Sequence, residues 1–320
     1  MLTLAGITSL YLNFQSLWSK PKYQVSIAVS RTPLSAPLYV AQAINAFDDT
    51  CVNVHFEEVI GGQAAFASVM EGKADFGTSS DSVIAFQSLA EKAFVTHAMF
   101  VQSDNDVKLI TWRDKISSAI ELNGKRVGVT KGTASEYFLS TLLALEGLTI
   151  ADIELHNYKP EQLIDSLINN EVDAIAPWEP FAFQSAQFLS KQIKIHDTKN
   201  LNTLSFNLIS QSPDNLLVEK AKCVIQGLTT AIDYIASHPG ESKKIVIDKL
   251  NITAEFIDWV WPDYVFKLAL NQSLILSIKS QTNWAVATQM SEFTKLPIIE
   301  HYIDSRAMLQ VDPAAVNIPL

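Results

Sequence analysis

The stretch AIAPWEP, residues 174–180, is the clearest sign of an α/β fold, because in it an apolar strand passes directly into the start of a helix. Trp178 and Glu179 therefore stand at a sheet edge, where burial of a carboxylate costs free energy unless the group has a partner. Trp178 is expected to stack on a planar or apolar part of a ligand. Glu179 is expected to accept hydrogen bonds from an ammonium or amide group, or else only to favour the helix N-terminus at Pro180.

Similar junctions recur along the chain. After residue 22, short apolar runs alternate with amphipathic stretches, which is typical of an α/β architecture with largely parallel sheets. Strands are predicted at residues 25–29, 52–59, 74–77, 127–129 and 172–176. Helices are predicted at residues 38–46 and 64–71, after Ser135, after Pro160 and, in a mainly helical last third, at 221–235, 255–260 and 272–290.

Length and composition favour two globular lobes and argue against some partners. The 320 residues exceed the usual size of one domain, and 48% of them are apolar against 18% charged. A formal charge of -10 without a run of Lys or Arg argues against a nucleic-acid partner, since phosphate binding needs a concentrated positive surface. The two cysteines, Cys51 and Cys223, are far apart in the sequence, so neither a disulfide framework nor a Cys-based metal site is expected.

The first 18 residues, MLTLAGITSLYLNFQSLW, are apolar with scattered Thr, Ser and Asn. They resemble the core of a secretory signal, but they lack a basic segment before Leu2 and a small-x-small cleavage site before Lys20. The rival interpretation is an uncleaved membrane anchor, which needs about 20 apolar residues without polar interruptions. We therefore favour a signal remnant in residues 1–22 over an anchor.

Four strand-to-helix junctions are candidates for a binding site, at residues 30–37, 78–81, 130–135 and 178–180. In open α/β sheets, ligands usually bind at the carboxyl ends of the strands because free backbone N–H groups point there. The hydroxyls and small residues of the second and third junctions would let donors approach a sulfonate, carboxylate or phosphate closely. Plain N-capping by the same residues is the alternative.

Six segments, in this order and spacing, resemble the solute-binding proteins of ABC transporters for nitrate, sulfonates, taurine and thiamine-pyrimidine precursors. They are PLYVAQ at 37–42, Gly61-Gly62, GKADFG at 72–77, LNGKRVGV at 122–129, residues 172–181, and WPDY at 261–264 with Trp284. The resemblance covers nearly the whole chain after residue 22.

The resemblance implies a type II periplasmic binding protein fold, in which two βα lobes are joined by a hinge and enclose a ligand cleft. Lobe 1 would comprise residues 23–103 plus 213–320, and lobe 2 would comprise residues 104–212. Ligand contacts are implied at Ser30, Arg31, Thr32, Gly61, Gly62, Thr78, Ser79, Ser80, Thr130, Gly132, Thr133, Ala134, Ser135, Trp178 and Glu179. Arg31 departs from the family pattern, and two placements stay open for it: a cleft-facing anion partner or a solvent-exposed side chain.

The implied function is capture of a small organic ligand, without catalysis or a cofactor, by a monomeric periplasmic protein that docks on a membrane permease and its ATPase. Enzymes of thiamine-pyrimidine synthesis resemble proteins of this fold, but those enzymes share a cysteine-rich iron-binding motif that this chain lacks. The hydrolase motifs Gly-x-Ser-x-Gly and His-Glu-x-x-His are also absent from the sequence. A ligand-sensing input protein of a membrane signalling system is the other alternative.

Overall fold

A computed structural model describes residues 22–211, 214–288 and 295–318. Two separate β-sheets organise this part of the chain, and helices pack on them, so the predicted α/β fold with two sheets is confirmed. No helix in the described residues is both long and apolar enough to cross a membrane. The signal or anchor predicted in residues 1–18 lies outside the described residues.

The larger sheet has seven strands, which come from both ends of the chain. Its strands are β1 (Tyr23–Ser30), β2 (Val52–Val59), β3 (Phe76–Ser80), β4 (Phe94–Ser103), β10 (Leu204–Gln211), β11 (Tyr264–Asn271) and β12 (Val316–Asn317). Their spatial order is β12-β11-β4-β10-β3-β1-β2. β1 is parallel to β2 and β3, while β10 is antiparallel to β3 and β4. The carboxyl ends of β1 and β3 therefore meet at one edge of the sheet.

The smaller sheet has five strands from the middle of the chain. They are β5 (Ile110–Trp112), β6 (Arg126–Val129), β7 (Glu154–Asn157), β8 (Ala174–Ile175) and β9 (Ile193–Ile195), in the spatial order β7-β6-β8-β5-β9. Its two faces carry separate apolar clusters: Ala174 and Ala176 belong to one, and Ile175 belongs to the other. Strand alternation thus gives this lobe a core on each side of the sheet.

Eleven α-helices are seen in the described residues. They are α1 (Ala36–Ala43), α2 (Gly62–Met70), α3 (Asp81–Leu89), α4 (Ala134–Leu145), α5 (Leu163–Ile168), α6 (Phe181–Leu189), α7 (Asn215–Ser237), α8 (Pro239–Leu250), α9 (Ala254–Val260), α10 (Gln272–Ala287) and α11 (Arg306–Val311). Hydroxyl caps begin the two helices at the predicted junctions: Ser80 Oγ accepts from Val83 N on α3, and Thr133 Oγ1 accepts from Ser135 N on α4. The junction residues therefore do perform the N-capping that was the alternative to ligand binding.

Two crossover segments, residues 104–109 and 196–203, connect the sheets. The first crossover is held by the AIAPWEP stretch: Lys108 N donates to Pro177 O, and Glu179 N donates to Asp106 O. The hinge is thus built by backbone pairing between the end of β8 and the first crossover.

The sequence-based boundaries need three corrections. β10 lies in the larger sheet between β3 and β4, although residues 104–212 were assigned to lobe 2. β11 was missed in a region expected to be mainly helical, because its pairing with β4 is long-range. Thr78 and Ser79 lie inside β3 and only Ser80 acts as the helix cap, so the strand is longer at its end than predicted.

The two cysteines form a disulfide, contrary to the sequence-based expectation. Cys51 precedes β2, Cys223 lies in α7, and their Cα atoms are 5.6 Å apart across a sequence separation of 172 residues. Sequence distance was the wrong guide, because the last third of the chain returns to pack on the first lobe. The loop that the bond closes includes the whole smaller sheet.

Candidate ligand-binding cleft

The larger lobe offers one wall of the predicted site. Ser30 N donates to Thr78 Oγ1 over 2.9 Å, which joins the ends of β1 and β3. Gly62 packs against the end of β3, where a Cβ atom would lie 3.2 Å from Ser80 N. Gly61 has a φ of +85°, which favours glycine. The structure therefore brings Ser30, the two glycines and the Thr78–Ser80 strand end together at one edge of the larger sheet.

The smaller lobe offers the second wall at the start of α4. Ser135 Oγ donates to Ala176 O over 2.6 Å, so the start of α4 is tied to the end of β8. Gly132 N donates to Glu136 Oε2. Thr130 Oγ1 is buried and finds no hydrogen-bond partner within the described chain. Among the junction hydroxyls on this wall, that of Thr130 is thus the one without a partner in the described chain.

Thr32 and Arg31 serve the first lobe itself. Thr32 caps the short 3-10 turn Pro33–Ser35. Arg31 Nη1 lies 2.7 Å from Glu58 Oε2, and its Nη2 donates to Leu250 O at the end of α8. Of the two placements left open for Arg31, the structure shows the solvent-exposed one: the side chain is 42% exposed and is held in an ion pair within its own lobe.

Trp178 packs on the apolar cluster of the smaller lobe and meets the ring of Phe181 edge to face. Glu179 is only 8% exposed, and its peptide bond to Pro180 is cis. Its carboxylate accepts from Phe183 N over 2.9 Å and from Trp259 Nε1 over 2.7 Å. Because Trp259 belongs to α9 of the other lobe, Glu179 joins the two lobes, and it is not a free ligand acceptor as the sequence suggested.

A buried network of charges surrounds this interlobe contact. Lys108 Nζ lies 3.5 Å from Glu179 Oε1 and 5.6 Å from the centre of the Trp259 ring. Burial raises the pKa of Glu179, and the Lys108 charge opposes that rise. Burial and the neighbouring Glu179 carboxylate together raise the pKa of Asp106 to about 7. The hinge therefore contains two carboxyl groups that resist ionisation.

Trp284 makes a second contact between the lobes. Its Nε1 donates to Ser140 Oγ on α4 over 2.7 Å, and its ring lies 5.3 Å from that of Tyr137, centre to centre. Phe86 of the first lobe completes this aromatic group at 6.5 Å. The lobes are thus bridged on the α4 side of the hinge as well as on the α6 side.

A narrow pocket, with about 10 Å³ of room for water, lies between these bridges. Its described lining comes from the first lobe, the second lobe and both crossovers. The first lobe supplies Asp81, Ser82, Leu204 and Gln281, the second lobe supplies Ala134 and Phe138, and the crossovers supply Asp104, Asp106, Val107, Thr198, Asn202 and Thr203. Among the predicted site residues, Ala134 alone belongs to this lining. The lining residues in the two crossovers were not predicted because such segments have no periodic pattern, although the acidic run DND at 104–106 was a visible signal.

Metal-binding geometry occurs once among the described residues, at Cys51, Glu219 and Cys223. The two sulfur atoms are bonded to each other there, so they are not available as thiolate ligands. This group therefore supports the disulfide and offers no metal centre.

Two βα lobes, joined by two crossovers with a polar pocket between them, define the class of two-lobed periplasmic-binding-protein folds. Solved structures that share it include the following three. The aliphatic sulphonate-binding protein SsuA of Escherichia coli has a TM-score of 0.74 at 18% identity, with 89% of this chain and 98% of that chain covered. SsuA of Xanthomonas axonopodis pv. citri bound to MOPS has a TM-score of 0.71 at 17% identity, with 90% and 100% covered. A Candida albicans protein with the generic periplasmic binding protein fold has a TM-score of 0.69 at 17% identity, with 93% and 98% covered.

The family follows from the sequence comparison. The family model described as NMT1/THI5 like matches residues 32–242, which is more than half of the chain. The chain therefore belongs to the NMT1/THI5-like family. A curated relative from Brucella abortus (strain 2308), whose name calls it a candidate binding protein, is 21% identical over 155 residues, 45% of this chain and 48% of the relative. The chain thus spans about half the length of the curated relatives it matches.

Proposed function

We propose that this protein is the solute-binding component of an ABC importer, which captures a small organic ligand between its lobes and does not transform it. The observation that carries the proposal is the pocket between Asp81 and Gln281 of one lobe and Ala134 and Phe138 of the other. A ligand in that pocket would contact both lobes at once. Family membership and the names of the similar solved proteins support the same function.

Hinge closure is the mechanism that this arrangement supports. Within the described residues, the two sheets are connected along the chain only by segments 104–109 and 196–203, so the lobes can rotate about these crossovers. A ligand that contacts both lobes binds the closed form better than the open form and shifts the population toward closure. The permease and its ATPase would then recognise the closed form.

The proposed location is extracytoplasmic. The Cys51–Cys223 disulfide supports it, because such bonds persist in oxidising compartments such as the bacterial periplasm and are rare in the cytosol. For the ligand, we propose a small organic solute of the sulfonate, taurine or thiamine-pyrimidine type. The hydroxyl-rich helix starts at Ser80 and Thr133 suit an anionic group at one end of it.

Thermal melting of the full chain with a panel of sulfonates, taurine, nitrate, pyrimidines and short carboxylates tests the proposal. A ligand at 100 times its Kd should stabilise the folded protein by about 2.7 kcal/mol. Mass spectrometry of the recovered ligand should then find it unchanged after incubation. Absence of a shift with every compound would contradict solute capture, and a chemically altered ligand would favour an enzyme.

A further inference from the structure

The pocket between the lobes presents hydrogen-bond acceptors that have no partner within the described chain. Thr198 Oγ1, Gln281 Oε1 and Asp104 Oδ1 are all buried atoms of this kind, and all three residues line the pocket. Thr198 is 7% exposed and Gln281 is 2% exposed. Leaving such groups unpaired costs about 1–3 kcal/mol each, so they indicate a site for a molecule that supplies hydrogen-bond donors.

The orientation of the Gln281 amide is fixed by its neighbour. Gln281 Nε2 donates to Asp81 Oδ2 over 3.0 Å, while Asp81 Oδ1 accepts from the backbone N–H groups of Ser82 and Ser205. Ser277 Oγ donates to the same Oδ2 atom. Asp81 is therefore saturated with donors, and its role is to hold the Gln281 amide so that Oε1 is left as the acceptor.

The charges at this pocket favour a cation. Among the described residues, no lysine or arginine lines the pocket, whereas Asp81, Asp104 and Asp106 do line it. The nearby Lys108 donates to Asn105 O over 2.6 Å, and the nearby Lys199 lies 2.7 Å from Asp263 Oδ1. Both ammonium groups bond to other partners, although the Lys108 charge still opposes the rise in the pKa of Asp106 and, after Asp263, Asp104 helps to raise the pKa of Lys199.

Acidic groups also outnumber basic ones in the wider hinge. Asp104, Asp106, Glu179 and Asp263 supply four carboxyl groups, against the two ammonium groups of Lys108 and Lys199. Burial holds the pKa of Asp106 at about 7, with Glu179 as the second cause. A bound cation would relieve this repulsion, because an opposite charge favours the ionised carboxylate.

We propose that this pocket binds a cationic nitrogen group of the solute, an ammonium or amidinium, through Asp104, Asp106, Thr198 and Gln281. An ammonium carries three donors and no acceptor, so it matches a lining of unpaired acceptors and carboxylates. Val107, Ala134 and Phe138 would contact the carbon atoms beside it. The inference rests on the proposed function and narrows it to solutes that contain a cationic nitrogen.

Matched pairs of compounds test this inference by calorimetric titration of the full chain. The pairs are taurine with ethanesulfonate and β-alanine with propionate. In the pair that binds, the nitrogen-bearing member should bind at least about tenfold more tightly, the effect of one charge-assisted hydrogen bond. Equal binding within that pair would overturn the inference and leave solute capture intact, whereas no binding by any compound would contradict both.

Two variants locate the cation. Asp104→Asn should weaken binding of the nitrogen-bearing compound by about tenfold or more and leave binding of its nitrogen-free partner unchanged, because the lost charge acts on the cation alone. Asp114→Asn, which makes the same charge change on an exposed turn, should affect neither compound. An equal loss for both members of the pair in Asp104→Asn would show a structural effect on the pocket and overturn the assignment.

Discussion

Replacement of Glu179 by alanine should cost the protein much of its stability. The carboxylate accepts from Trp259 Nε1 of the other lobe and from Phe183 N, and it lies 3.5 Å from the buried Lys108 ammonium. Alanine would leave both donors and the ammonium without their acceptor. Removal of one partner from a buried ion pair typically costs about 3–5 kcal/mol. We therefore expect the free energy of unfolding to fall by about that amount.

The assay is urea unfolding of the purified protein followed by far-ultraviolet circular dichroism. Glu179→Gln keeps the side-chain shape and one acceptor, so it should cost less, about 1–3 kcal/mol. Glu146→Ala, at the exposed end of α4, should change stability by no more than about 0.5 kcal/mol. A loss below about 1 kcal/mol in Glu179→Ala, together with weakened ligand binding, would refute the interlobe role and support the sequence-based prediction that Glu179 contacts the ligand.

Three further perturbations probe the disulfide, the hinge charge and the second interlobe contact. Replacement of Cys51 and Cys223 by serine should lower the free energy of unfolding by about 2–5 kcal/mol, since the bond closes a long loop. Peptide mapping of the wild-type protein without reductant should recover the linked pair of peptides, and two free thiols would contradict the bond. Asp106→Asn should stabilise the protein at pH 8 but not below pH 4. Because the raised pKa makes ionisation of Asp106 costly to the folded state, the stability of the wild type falls as the pH rises from the ordinary carboxyl pKa to about 7. The same difference in urea midpoint between variant and wild type at both pH values would contradict this. Trp284→Phe removes the donor to Ser140 and should weaken the contact between the lobes by about 0.5–1.5 kcal/mol. The variant should therefore show a larger radius of gyration in X-ray scattering, and an unchanged radius would count against the contact.

Local sequence signals were sufficient to predict where the strand-to-helix junctions lie. A strand run followed by a hydroxyl residue and an apolar helix is a short-range pattern, and the caps at Ser80 and Thr133 follow from it directly. The same is true of α7, whose apolar residues recur at helical spacing and which the structure places at Asn215–Ser237. These elements set the two-lobed α/β fold.

Pairings between distant parts of the chain were beyond the reach of the sequence. Glu179 and Trp259 are 80 residues apart, and nothing near AIAPWEP indicates that a tryptophan from α9 donates to its carboxylate. The disulfide and the pairing of β11 with β4 depend on long-range contacts in the same way. The pocket is formed largely by crossover residues, whose irregular conformation has no periodicity to read.

The most direct test of solute capture is a crystal structure of the protein with the panel compound that most raises its melting temperature. The compound should lie between the two lobes, in contact with Gln281 on one side and with Ala134 or Phe138 on the other, and its cationic nitrogen should lie within hydrogen-bond distance of Asp104 or Thr198. A compound bound to the outer surface of a single lobe, with the pocket between the lobes unoccupied, would contradict the account.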